Sequence, residues 1–88
     1  MKVRRDHSLG TTEARRRVDK IAADMGSRLN LSSEWRGNDL QVKGSGVDGT
    51  ISVSEDAIEI NINLGFALKF MEGSIRTAIE STMDKHLA

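Results

Sequence analysis

The sequence predicts an α+β fold in the order β-α-β-β-β-β-α, an antiparallel meander with two helices packed on one face. Two observations carry that prediction. Apolar residues recur at three- and four-residue spacings in two stretches near the ends of the chain, and they alternate at period two in the middle. Clusters of glycine, asparagine, aspartate and serine punctuate the alternating part at short intervals, as tight turns between antiparallel strands require. Each apolar face needs a partner, so helices and sheet must cover one another. At about 100–200 residues per domain, the 88 residues make a single α+β domain over 1–88.

Residues 2–8 read as a short strand with Val3 as its one clear β-former. Gly10-Thr11-Thr12-Glu13 reads as a helix start, with a threonine cap and an acidic first turn. Ala14, Val18, Ile21, Ala22, Met25 and Leu29 then share one helical face, so the helix should run from about Thr12 to Leu29. Gly26 weakens its last turn. Trp35 leads into the Gly37-Asn38-Asp39 turn, and Leu40 and Val42 alternate with polar neighbours. Ile51 and Val53 continue the alternation, Glu55-Asp56 turns the chain, and Ile58, Ile60, Ile62 and Leu64 form the cleanest strand. Leu64-Gly65-Phe66 ends the sheet. A second helix reaches about His86, with Leu68, Met71, Ile75, Ala78, Ile79 and Met83 as its apolar stripe.

Composition narrows the function classes. The 13 basic and 13 acidic residues cancel. Residues 1–30 nevertheless hold eight basic against four acidic side chains, +4, and the remainder carries −4. Such a chain can pair its halves internally or with a second copy. It contains no cysteine, so neither a disulfide nor a CxxC zinc site can brace a small core, and oligomerisation is the remaining device. The longest apolar neighbourhood, Leu64 to Met71, contains Lys69 and falls far short of the roughly 20 residues a membrane span needs. The basic start lacks a following apolar stretch, which argues against a secretory signal and for a cytoplasmic address.

Several motifs invite a chemical reading that their context withholds. Gly44, Gly46 and Gly49 match G-x-G-x-x-G, but a dinucleotide site needs that loop to open a helix, and Thr50-Ile51-Ser52-Val53 is a strand. A hairpin turn plus a bulge explains the glycines. Asp6, His7 and Ser8 supply the residue types of a hydrolase triad, yet neighbours on a strand point to opposite faces. His7 reads instead as a structural group bonding across the strand-to-helix turn. His7 and His86 lack the spacing of metal ligands, so no metal or other cofactor is expected. Arg15, Arg16 and Arg17, with Lys20, fan around a helix and lack aromatic company, which argues against nucleic-acid binding. No acid, base and nucleophile constellation can be assembled, so a non-enzymatic protein is expected.

Phe66 and Phe70 stand apart. With Leu68 at 0° and about 100° per residue, they fall near 160° and 200°, away from the core stripe. Exposed apolar groups mark contact surfaces. Leu64, Phe66 and Phe70 are therefore the candidate contact residues, toward a second copy, a protein partner or an apolar surface.

Three motifs in order carry a resemblance. They are His7-Ser8-Leu9-Gly10 before an alanine- and arginine-rich helix; Trp35-x-Gly37 with Leu40-x-Val42 and then Ser45-Gly46-Val47-Asp48-Gly49-Thr50-Ile51; and Ile58-Glu59-Ile60 followed by Leu64-Gly65-Phe66-x-Leu68-x-Phe70. Over residues 3–87 the chain resembles the polyhydroxyalkanoic acid system protein family, small bacterial proteins encoded near polyhydroxyalkanoate storage genes. The resemblance implies a cytoplasmic protein at, or in control of, storage granules, with a granule protein or the granule surface as partner. It transfers no catalytic residues. His7, Gly10, Trp35, Gly46, Gly49 and Gly65 belong to its motifs as structural positions.

Overall fold

A computed structural model describes residues 1–87. Its elements are β1 (Lys2–Asp6), α1 (Gly10–Leu29), β2 (Ser32–Arg36), β3 (Asp39–Gly44), β4 (Val47–Val53), β5 (Ala57–Leu64), a 3-10 helix (Phe66–Met71) and α2 (Glu72–Leu87). The strands form one antiparallel sheet in the order β1-β5-β4-β3-β2. Strands β2 to β5 are a meander. β1 closes the far side against β5, with Val3 opposite Ile60. The β-α-β-β-β-β-α order and the two-helix, one-sheet layering agree with the sequence reading.

Period two sorts the sheet into two faces. Val3, Leu40, Val42, Val47, Ile51, Val53, Ile58, Ile60 and Ile62 point inward and are buried. Against them α1 places Ala14, Val18, Ile21 and Met25, and α2 places Ile75, Ile79 and Met83. α1 packs over β4, α2 over β1, and the helices pack on each other. The other sheet face carries Lys2, Arg4, Glu59, Asn61, Asp48, Thr50, Gln41, Lys43, Glu34 and Arg36 and, among the described residues, has no layer over it.

Several boundaries differ from the sequence reading. β1 ends at Asp6 because His7 leaves the ladder to serve the following turn. α1 begins at Gly10, without a side-chain cap from a threonine. Gly10 adopts φ +76°, a left-handed turn that suits glycine. β4 starts at Val47, so Gly49 lies inside the strand, between Val42 and Ile62. The expected bulge is absent: the register through Gly49 is continuous on both sides. Glycine is required there by close approach. A Cβ would overlap the Asn61 carbonyl oxygen and lie 2.8 Å from Ile62 Cδ1. Gly46 is the turn glycine, at φ +76°.

The second helix is not continuous. Residues 66–71 form a 3-10 helix with no buried side chain, and Met71, expected in the core stripe, is 47% exposed. This segment starts beyond the last ladder pair, Val47 with Leu64, so no sheet lies beneath it to receive a buried face.

The charge halves meet within the molecule. Lys2 pairs with Glu59, and Arg5 pairs with Glu80 and Asp84 of α2. Ion pairs therefore cross between the +4 and −4 segments within one chain.

Candidate functional site

The exposed apolar corner is built from glycine contacts. Gly65 donates its backbone N–H to the Gly46 carbonyl at 2.7 Å, fastening the end of β5 to the β3–β4 turn. A Cβ on Gly65 would sit 3.2 Å from that same carbonyl oxygen, so a larger residue would push the two turns apart. Leu68 N–H then donates to the Gly65 carbonyl at 2.9 Å, the three-residue step of a 3-10 turn. The Leu68 side chain lies against Gly46, and Leu64 and Leu68 pack on the edge of the core.

With Leu68 anchored inward, Phe66 and Phe70 project outward. At about 120° per residue in a 3-10 helix, they fall on opposite sides of Leu68, each well away from it. Phe66 is 91% exposed and Phe70 83% exposed. Met71, three residues beyond Leu68 and on its side of the 3-10 helix, is 47% exposed. Lys69 is the one charged residue among positions 66–71. Two shallow grooves flank the corner. One, of about 490 Å³, runs past Lys43, Asp48, Asn63 and Gly65; the other, of about 270 Å³, passes Met1, Lys69 and Glu72. Leu64 lines both. The side chains presented here are apolar and neutral-polar apart from Lys43, Asp48, Lys69 and Glu72 at the rim. Each phenylalanine withdrawn from water contributes about 1.5–3 kcal/mol.

The other sequence-selected residues lie elsewhere. His7 Nδ1 accepts the Leu9 N–H at 3.1 Å, and its Nε2 lies 3.2 Å from the Ser54 carbonyl, to which it donates. Its own backbone N–H donates to the Asp56 carbonyl at 2.8 Å. The imidazole thus ties the β1–α1 turn to the β4–β5 turn. The Asp6 carboxylate accepts from Arg4 rather than from His7. Trp35 Nε1 donates to Asp19 at 2.8 Å, and the Arg15 guanidinium stacks 4.3 Å over the indole, joining α1 to β2. Arg16 and Arg17 pair with Glu13, and Arg17 also donates to the His86 carbonyl. The arginine run is therefore engaged by its own fold.

Three carboxylates titrate low. The Arg17 hydrogen bond holds Glu13 below its ordinary range, the His86 hydrogen bond does so for Asp24, and the Asn61 hydrogen bond for Glu59. Asp24 pairs across to Lys85 and His86 of α2, Glu59 pairs across to Lys2 of β1, and Glu13 pairs within α1. Among the described residues, no group of three or more histidine, aspartate or glutamate side chains could hold a metal ion. No helix of the described residues is long and apolar enough to cross a membrane.

Met71 was missed as a surface residue. The signal available was Gly65 and Gly73, which bracket the segment and interrupt a continuous helix.

A family model described as "Putative polyhydroxyalkanoic acid system protein" matches residues 1–87. No curated protein matches, and no solved structure matches.

Proposed function

Because the chain belongs to the polyhydroxyalkanoic acid system protein family, we propose that it is a non-enzymatic accessory protein that docks on the polyester surface of cytoplasmic storage granules through Phe66 and Phe70. The carrying observation is the exposure of Phe66 and Phe70 in a chain with three aromatics in all. The core is complete without them, filled by valine, isoleucine, leucine, methionine and alanine. A water-facing pair of phenylalanines on a short, backbone-bonded segment presents apolar area at little ordering cost on binding. A solid aliphatic polyester offers the matching apolar surface.

The test replaces both rings, Phe66→Ser with Phe70→Ser, and follows co-sedimentation with isolated granules. The variant should remain folded and stay in the supernatant. Undiminished co-sedimentation would sink the proposal. A wild-type dimer that the double variant turns into a monomer would instead assign this corner to self-association.

A further inference from the structure

The two edges of the sheet are treated differently. The two-residue turns at Gly37-Asn38 and Ser45-Gly46 are closed by the pairs Arg36–Asp39 and Gly44–Val47. Counting from those closures, Ser32, Glu34 and Arg36 turn their backbone groups toward β3, while Ser33 and Trp35 turn theirs outward. On the opposite edge, Lys2, Arg4 and Asp6 are the outward residues of β1, since Met1 exchanges both of its backbone bonds with Ile62. The Lys2 and Arg4 carbonyls are capped. Arg76 donates to the Lys2 carbonyl at 3.2 Å, and Arg5 donates to the Arg4 carbonyl at 3.2 Å. Three cations in five residues further guard that edge. β2 has neither device: it carries no proline or bulge, and among the described residues nothing bonds the outward groups of Ser33 and Trp35.

Glu34 and Arg36 add a second asymmetry. Both are exposed on the uncovered sheet face, and among the described residues neither has an ion-pair or hydrogen-bond partner. They are two residues apart, one of each sign. We propose that β2 pairs antiparallel with β2 of a second copy of this chain, joining two five-stranded sheets into one. The two-fold register that sets Trp35 opposite Trp35 brings the outward backbone groups of both copies face to face. It also sets each Glu34 opposite the other copy's Arg36, giving two reciprocal charge pairs. The neighbouring registers fail on charge: one sets Glu34 opposite itself, the other Arg36 opposite itself. A strand from an unrelated protein has no such built-in reciprocity, so a second copy is the occupant the charges favour. The contact lies across the sheet from the phenylalanine corner, which packs on β5 and α2, so the two proposals stand or fall separately.

Sedimentation equilibrium of the full chain tests this. Wild type should show a concentration-dependent dimer. Glu34→Arg alone and Arg36→Glu alone each turn two opposite-charge pairs into two like-charge pairs and should weaken the dimer about tenfold. The combined Glu34→Arg/Arg36→Glu chain should restore wild-type affinity. An equimolar mixture of the two single variants should form a heterodimer in preference to either homodimer. Both side chains are exposed and, among the described residues, unpaired, so thermal melts at concentrations where wild type is monomeric should match it and exclude unfolding as the cause. A wild type that stays monomeric at the highest soluble concentration overturns the proposal. So does a dimer indifferent to both swaps, or one dissolved by the double phenylalanine replacement.

Discussion

Replacing Gly49 by alanine adds one methyl group and should be among the most damaging small changes in this chain. Gly49 pairs with Ile62 on one side and Val42 on the other, near the middle of the sheet. The new Cβ would overlap the Asn61 carbonyl oxygen and lie 3.1 Å from Ile62 Cα. Both are backbone atoms of β5, and β5 is itself held by β1 and β4, so neither can retreat without opening a ladder. Overpacking of this kind costs about 1–3 kcal/mol and sometimes more. The entropy gained by losing a glycine returns about 0.5–1 kcal/mol. A net loss of about 1 kcal/mol follows, which for a domain of this size lowers Tm by about 4–8 °C. Gly73→Ala is the matched control. Nothing lies within 4 Å of its would-be Cβ and it sits in α2, so the same methyl should stabilise by about 0.5–1 kcal/mol. Thermal melts followed by circular dichroism read both. If Gly49→Ala melts with wild type, the close-approach account of this glycine is wrong.

Trp35→Phe keeps a ring but removes the Nε1–H that donates to Asp19 and weakens the Arg15 stack; urea denaturation should show a loss of about 1 kcal/mol. Asp24 titrates below its ordinary value, chiefly through the His86 hydrogen bond, so its contribution is complete above the unfolded carboxylate pKa and disappears as pH falls through the folded one. Asp24→Asn should therefore be less stable than wild type at pH 7 and converge with it in acid; a gap that persists at low pH would contradict the assignment. Phe66→Ser/Phe70→Ser should melt within a few degrees of wild type, because rings 91% and 83% exposed contribute little to the core; a large drop in Tm would mean the corner is structural.

Local periodicity made most of the fold legible. The Ala14–Leu29 stripe and the Ile58–Leu64 alternation state element type directly, because burial selects one face of each. Pairing at a distance was not legible. Val3 meets Ile60 across most of the chain, and nothing in KVRRD distinguishes β5 from any other partner. The glycine motif was read correctly at Gly46, where a turn needs positive φ, and incorrectly at Gly49, where a crowded neighbour on another strand sets the requirement. The outward direction of Phe66 and Phe70 emerged from α-helical angles although the segment is a 3-10 helix; both geometries turn residues two positions from Leu68 away from it. The same arithmetic misplaced Met71, since it assumed that a sheet lay beneath the first turn. The unguarded β2 edge became visible only once strand order and the capped β1 edge were known.

The central claim is that the Phe66–Met71 corner adsorbs to an apolar polyester. A binding isotherm on protein-free polyhydroxyalkanoate particles, measured for wild type and for Phe66→Ser/Phe70→Ser at low and high salt, tests it without any granule protein present. Burial of two rings at about 1.5–3 kcal/mol each predicts a partition at least a hundredfold higher for wild type. It also predicts affinity that holds or rises with salt, because no charge pair is involved. Equal adsorption of the two proteins, or binding lost as salt is added, would contradict it.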